Sequence, residues 1–167
     1  MAQHQRSDSR KPVLVPHADT SPSQTTDQPP QAQHWAGKVM LICAPPGSEI
    51  DCAKAWFSAM GGTTVTVGER LLPLEWIDQY AESFDLALVD CDHLGDDGDV
   101  IDFSLRMRRF SPNLPLVMVS SRVHAHDFGT ERLAICDVTL QKPFTQSAFA
   151  IGLQTAIVNH RIYQSKH

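Results

Sequence analysis

Asp90 closes a short apolar run, Phe84-Asp85-Leu86-Ala87-Leu88-Val89-Asp90, and an acidic loop containing Asp92, Gly95, Asp96, Asp97 and Gly98 follows it. Such a run reads as a strand buried on both faces of a parallel sheet. A carboxylate at the C-terminal end of that strand lies in the crevice where open α/β sheets take their ligands. Lys142 ends a second run, Leu140-Gln141-Lys142. The chain thus offers a carboxylate and an ammonium at two strand ends of one sheet. Cys43 ends the first apolar run, beside the strand of Asp90. A buried small thiol is the default reading; the alternative is a crevice thiol near Lys142, with a pKa lowered by the cation.

The elements that must position these residues follow from alternating patterns. Short apolar runs alternate with helical spacings from Lys38 onward, the signature of βαβ units. The first strand covers 39–42. Ser48 and Asp51 form an expected capping box for a helix carrying Ala53, Trp56, Phe57 and Met60, stopped by Gly61-Gly62. Residues 63–67 make a β-branched second strand, and Pro73 opens a second helix with Leu74, Ile77 and Tyr80. The third strand is 84–89. Val100, Ile101, Leu105 and Met107 mark a third helix with Arg106, Arg108 and Arg109 on its wet side. The fourth strand is 116–119, a polar fourth helix is expected within 124–132, and the fifth strand is 138–140. Thr145 caps a last helix through Phe149, Leu153, Ala156 and Ile157. Five strands and five helices fit a flavodoxin-like, doubly wound sheet of order 2-1-3-4-5.

Composition bounds the function. The 167 residues carry a net charge of -5, with 42% hydrophobic and 20% charged residues. That charge gives no electrostatic footprint for nucleic acid. No apolar run approaches the roughly 20 residues of a membrane helix, and no leader-like apolar stretch opens the chain. The four cysteines (Cys43, Cys52, Cys91, Cys136) include no C-x-x-C pair, which favours free thiols in a cytoplasmic setting. Residues 1–36 hold five of the eleven prolines and read as a disordered tail rich in Gln, Ser and Thr, ahead of a domain over 37–167. His93, His124 and His126 fall in expected loops, and the last two do not share a helix face. The single glycine in Ala44-Pro45-Pro46-Gly47 argues against a phosphate-binding loop for nucleotide or flavin.

Residues 37–160 resemble the CheY-like receiver domains of two-component response regulators. The resemblance rests on Asp90 at the third strand end, Asp97-Gly98 seven and eight residues later, Ser120 at the fourth strand end, and Lys142-Pro143-Phe144. It implies Asp90 as phosphoacceptor, Ser120 and Lys142 as phosphoryl-binding residues, Thr139 at the switch position, and a peptide bond before Pro143 that is often cis. It also implies Mg²⁺ held by acidic residues after the first strand. Cys43 and Ala44 stand there instead, which leaves Asp90 and Asp92 as the carboxylates for a metal, with a solvated loop role the expectation for Asp92. A soft thiol does not suit Mg²⁺.

The expected function is a stand-alone, atypical receiver-like module that is not an enzyme and acts through protein–protein contact, independently of phosphorylation. The alternative is a single-domain response regulator phosphorylated on Asp90 by a histidine kinase. The expected partner is a histidine kinase or an output signalling protein, with neither nucleic acid nor membrane. Its expected contact face, also open to a homodimer, is the fourth helix, fifth strand and fifth helix.

Overall fold

The computed structural model describes residues 35–68, 76 and 79–166. The elements are β1 (Val39–Cys43), α1 (Ser48–Ala59), β2 (Thr63–Val67), a 3₁₀ turn (Ala81–Ser83), β3 (Leu86–Asp90), α2 (Cys91–Leu94), α3 (Asp97–Phe110), β4 (Leu116–Ser120), β5 (Val138–Gln141) and α4 (Gln146–Lys166). Pro73, Leu74 and Ile77 of the expected second helix lie outside the described residues; Trp76, Gln79 and Tyr80 are helical. All strands are parallel in the order β2-β1-β3-β4-β5.

The strands alternate between two cores because successive side chains point to opposite faces. Met40, Ile42, Leu88, Val117 and Leu140 meet α1 and α4 through Phe57, Phe149 and Leu153. Leu41, Ala87, Val89 and Met118 meet α3 through Val100 and Met107. Trp35, which composition placed in the tail, packs on Phe57 with ring centroids 5.5 Å apart. Gly61 ends α1 with φ 90, a left-handed conformation that favours glycine. Gly62 then lies so close to the Phe57 ring that any Cβ would displace it.

The parallel register is tied by two aspartates that use the same device. Asp85 precedes β3, and its Oδ2 accepts from Val39 N–H at the start of β1, 2.8 Å away. Asp137 precedes β5, and its Oδ2 accepts from Leu116 N–H at the start of β4, 2.7 Å away. Asp85 is further paired with Lys38 at 2.8 Å near the surface. Asp137 is buried, and its partner is Arg108 at 2.9 Å.

Arg108 therefore corrects the expected wet side of α3. It is 5% exposed, bonded to Asp137 and to the Leu133 carbonyl at 3.1 Å. Its guanidinium also lies 3.0 Å from His160 Nδ1 and 4.4 Å from the centre of the Tyr163 ring. Val100, Ser104 and Met107 are buried with it, whereas Ile101 and Leu105 are exposed. The helix has thus turned its apolar pair outward to seat an arginine whose planar fork serves several acceptors at once.

Three other expectations change. Gly47, not Ser48, is the N-cap of α1, and no side chain caps it; Ser48 bonds Glu49 instead. The capping box belongs to α3, where Asp96 accepts from Gly98 N–H and Asp99 N–H while Asp99 accepts from Asp96 N–H. Finally, residues 121–135 contain bends and turns and no helix. Asp127 accounts for this: its Oδ1 accepts from Gly129 N–H at 2.9 Å, and its backbone bridges Thr139 on β5. A local side-chain bond of that kind competes with helical pairing. Thr145 does cap α4, accepting from Ala148 N–H.

Replacing Arg108 by leucine leaves the buried Asp137 carboxylate with only His160 as an ionisable partner among the described residues, its Nδ1 3.2 Å from Oδ2. Urea unfolding of Arg108→Leu is expected to show a loss of about 3–5 kcal/mol, with the secondary structure retained at low urea.

Candidate functional site

Asp90, Ser120 and Lys142 converge because β3, β4 and β5 are parallel and end together. Asp90 pairs in register with Val119, and Ser120 with Gln141. Lys142 N–H donates to the Ser120 carbonyl at 2.9 Å, which holds the residue after β5 over the end of β4. The Lys142–Pro143 peptide bond is cis. The Lys142 ammonium then lies 2.8 Å from Asp90 Oδ1 and 2.9 Å from Asp92 Oδ2. Asp90 is buried and also N-caps α2, accepting from Asp92 N–H at 3.1 Å.

Asp92 departs most from expectation. Sequence reasoning expected a solvated loop residue, yet its carboxylate sits at the centre of the crevice. The Ser120 hydroxyl donates to Oδ1 at 2.7 Å, and Ser121 N–H donates to Oδ2 at 2.9 Å. Arg122 Nε lies 3.5 Å from Oδ1, while its other nitrogens reach Asp97 at 3.3 Å and the Cys91 carbonyl at 3.1 Å. Ser120 Oγ in turn accepts from Arg122 N–H at 3.1 Å. A hydroxyl, an amide, an ammonium and a guanidinium thus converge on one carboxylate. Ser121 and Arg122 were missed in the sequence, although they follow Ser120 directly and a basic residue two places beyond a strand end can fold back over it.

The charges respond accordingly. Partial burial acts to raise the Asp92 pKa, but hydrogen bonds from Lys142, Ser121 and Ser120 outweigh it and hold the carboxyl well below the usual carboxylate range. Burial likewise acts to lower the Lys142 pKa, and the bonds to Asp90 and Asp92 outweigh it and raise it. Cys43 behaves otherwise than the crevice reading required. It packs with Leu41, Val89 and Cys91 in the core under α3, and burial pushes its thiol up to about 12. It is the inert buried cysteine of the default reading.

The end of β1 supplies no side-chain oxygen for Mg²⁺. That ion needs near-octahedral oxygen ligands. Cys43 and Ala44 are both buried. One oxygen of Asp90 and both oxygens of Asp92 already accept from the protein. Among the described residues no group of three or more His, Cys, Asp or Glu is placed to hold a metal. His126 Nδ1 accepts from Gln141 N–H at 3.0 Å, and His93 Nε2 lies 3.2 Å from the Gly68 carbonyl. Thr139 is buried, with its hydroxyl 3.4 Å from Cys136 Sγ.

No protein-family model and no curated protein matches the chain. Solved structures do. A response regulator receiver domain protein from Clostridium thermocellum is 15% identical with a TM-score of 0.56, covering 75% of this chain and 98% of its own. The chemotaxis response regulator CheY4 of Vibrio cholerae is 17% identical with a TM-score of 0.53, covering 71% and 98%. A protein described as pilus assembly-related, from Burkholderia pseudomallei K96243, is 15% identical with a TM-score of 0.55, covering 77% and 92%. The fold of this chain is that of a CheY-like receiver domain.

Asp92 also predicts an acid limb of stability. Its carboxyl is a stronger acid folded than unfolded, where its pKa is about 3.9. The stability it contributes is therefore present above that value and is lost as pH falls toward the lower folded one. Urea midpoints measured from pH 6 to pH 2 are expected to fall less steeply in Asp92→Asn than in the wild type.

Proposed function

We propose that the chain is a receiver-fold signalling module that works by protein–protein contact, without phosphorylation. The observation that carries this reading is the Asp92 carboxylate, held by the Ser120 hydroxyl and the Lys142 ammonium. Those are the groups a phosphoryl oxyanion on Asp90 would need. A second oxyanion brought within ~4 Å of Asp92 meets a repulsion of about 4 kcal/mol at a surface-like dielectric. Asp90, Ser120 and Lys142 then serve as the internal brace of the domain, and Thr139, at the switch position, is a small packed side chain. No step of this role is enzymatic. The histidine kinase or output protein of a signalling pathway is the kind of partner the reading implies. The fold alone does not prescribe phosphotransfer, and one matched chain is described as pilus assembly-related.

The second reading, a switch phosphorylated on Asp90 by a histidine kinase with Mg²⁺ bound by Asp90 and Asp92, is favoured by one feature. Asp90 lies at the strand end with Lys142 only 2.8 Å away.

Intact-mass measurement after incubation with Mg²⁺ and acetyl phosphate separates the two. Wild type is expected to gain no phosphoryl adduct, and Asp92→Gly, with the cradle opened, to gain one that Asp90→Ala removes in the double variant. An adduct on wild type that disappears in Asp90→Ala would replace this reading with the second.

A further inference from the structure

The segment 121–135 lies where an alternating βαβ chain has its fourth helix, and it forms none. Its bridge from Asp127 to Thr139 pins it along the outer edge of β5. A cavity of about 310 Å³ opens between it and α3, with Met118 of β4 in its wall. Val100, Ile101, Val123 and Ile135 complete its apolar lining, and Arg122 and Arg132 stand on it as cations.

The flank of α3 beside this cavity is also apolar and uncovered. Ile101 is 43% exposed and Leu105 49%. They are four residues apart and share one helix face. Arg109, one further turn along, is exposed. Apolar surface therefore runs from a half-open pocket, which Ser120 and Thr139 also line, onto a strip along a helix, a shape longer than a small ligand would need and suited to a helix laid in a groove.

We infer that this groove binds an acidic amphipathic helix of a partner protein, seated where the fold's own fourth helix is missing. The charges select it. The chain is acidic overall at -5, yet Arg122 and Arg132 line the groove, and Arg109 lies one turn beyond Leu105 on α3. Asp97, the acidic residue in its lining, is paired with Arg122 at 3.3 Å. Asp102, beside Ile101 on α3, and Glu131, beside Arg132, are the exposed acidic neighbours. Arg109 and Arg132 make no ion pair among the described residues. A second copy of this chain is a poorer occupant. Its exposed apolar stripe, Ile151 and Val158, lies on α4, and α4 carries no aspartate or glutamate for the arginines.

The inference names a partner class for the contact-driven module and rests on that reading. The mass measurement decides the phosphorylation half, and peptide binding decides this one, so each fails separately. The test is selection of a displayed library of helical 18-residue peptides (about five turns), with acidic and basic members equally represented, on the full chain. Enriched peptides are expected to carry apolar anchors at i, i+3 or i+4 and i+7 with glutamate or aspartate flanking them. By fluorescence anisotropy, Leu105→Glu and Arg132→Glu should each weaken the best peptide by roughly tenfold or more. Ile151→Glu should leave it unchanged, and circular dichroism checks that all three variants are folded. No enrichment, enrichment of basic peptides, or loss of binding in Ile151→Glu but not Leu105→Glu would overturn the inference. So would a wild-type dimer in sedimentation that Leu105→Glu dissociates, because a second copy would then fill the groove.

Discussion

The Lys142 ammonium is the interaction on which the crevice depends. Asp90 and Asp92 are two residues apart, and the turn of α2 brings both carboxylates to one ammonium at 2.8 and 2.9 Å. Two carboxylates this close repel unless a cation stands between them. With it in place, Asp90 can remain buried at the end of a strand and serve as N-cap of α2. Asp92 can then reach across to β4, where Ser120 and Ser121 donate to it. One cation thus joins the ends of three strands. Because the ammonium is partly buried, its bonds are screened less than those of a surface pair.

The opposite end of the sheet solves the same problem with arginine. Asp137 must be a carboxylate there to accept from Leu116 N–H while taking Arg108 on its other oxygen. A buried pair of this kind adds little net stability over an apolar substitute, but losing one member is costly. Its value is geometric. It fixes the start of β4 against β5 and draws the C-terminal turn of α3 toward α4, where His160 and Tyr163 surround the guanidinium. β4 and β5 are therefore tied at both ends by charged groups, while their middles are held by the ladder pairing and apolar packing. Such an arrangement keeps Ser120 and Lys142 in register, since a strand pinned at both ends cannot slip by a residue.

Much of this was legible in the sequence, for identifiable reasons. The apolar runs at 86–89 and 116–119 are continuous because both faces are covered, so strand type and order followed directly. Asp90, Ser120 and Lys142 end their strands, and parallel strands place such ends together. What stayed hidden depends on partners distant in sequence. Arg108 looks like a wet-face residue beside Arg106 and Arg109 until Asp137 is known to lie beneath it. Asp92 looks like one of several loop acids until the loop curls into α2. Cys43 was ambiguous because a strand end can be core or crevice, and here the first turn of chain after β1, with Ala44 buried, keeps the thiol in the core. The missing fourth helix is a contest between weak helical spacing and the turn preference of Asp127-Phe128-Gly129, which periodicity alone does not settle.

The non-helical segment and the Asp92 carboxylate meet at one residue. Arg122 is the second residue of the non-helical segment, and it touches Asp92, Asp97 and the Cys91 carbonyl at once. The bend at the segment's start lays Ser121 N–H and the Arg122 guanidinium against Asp92. The cavity between this segment and α3 reaches Met118 and Ser120 of β4, with Arg122 in its wall. An acidic side chain arriving in the groove would compete for Arg122 with Asp97 and Asp92. Crevice and groove therefore share a charge, and an occupant of one bears on the other through a single guanidinium.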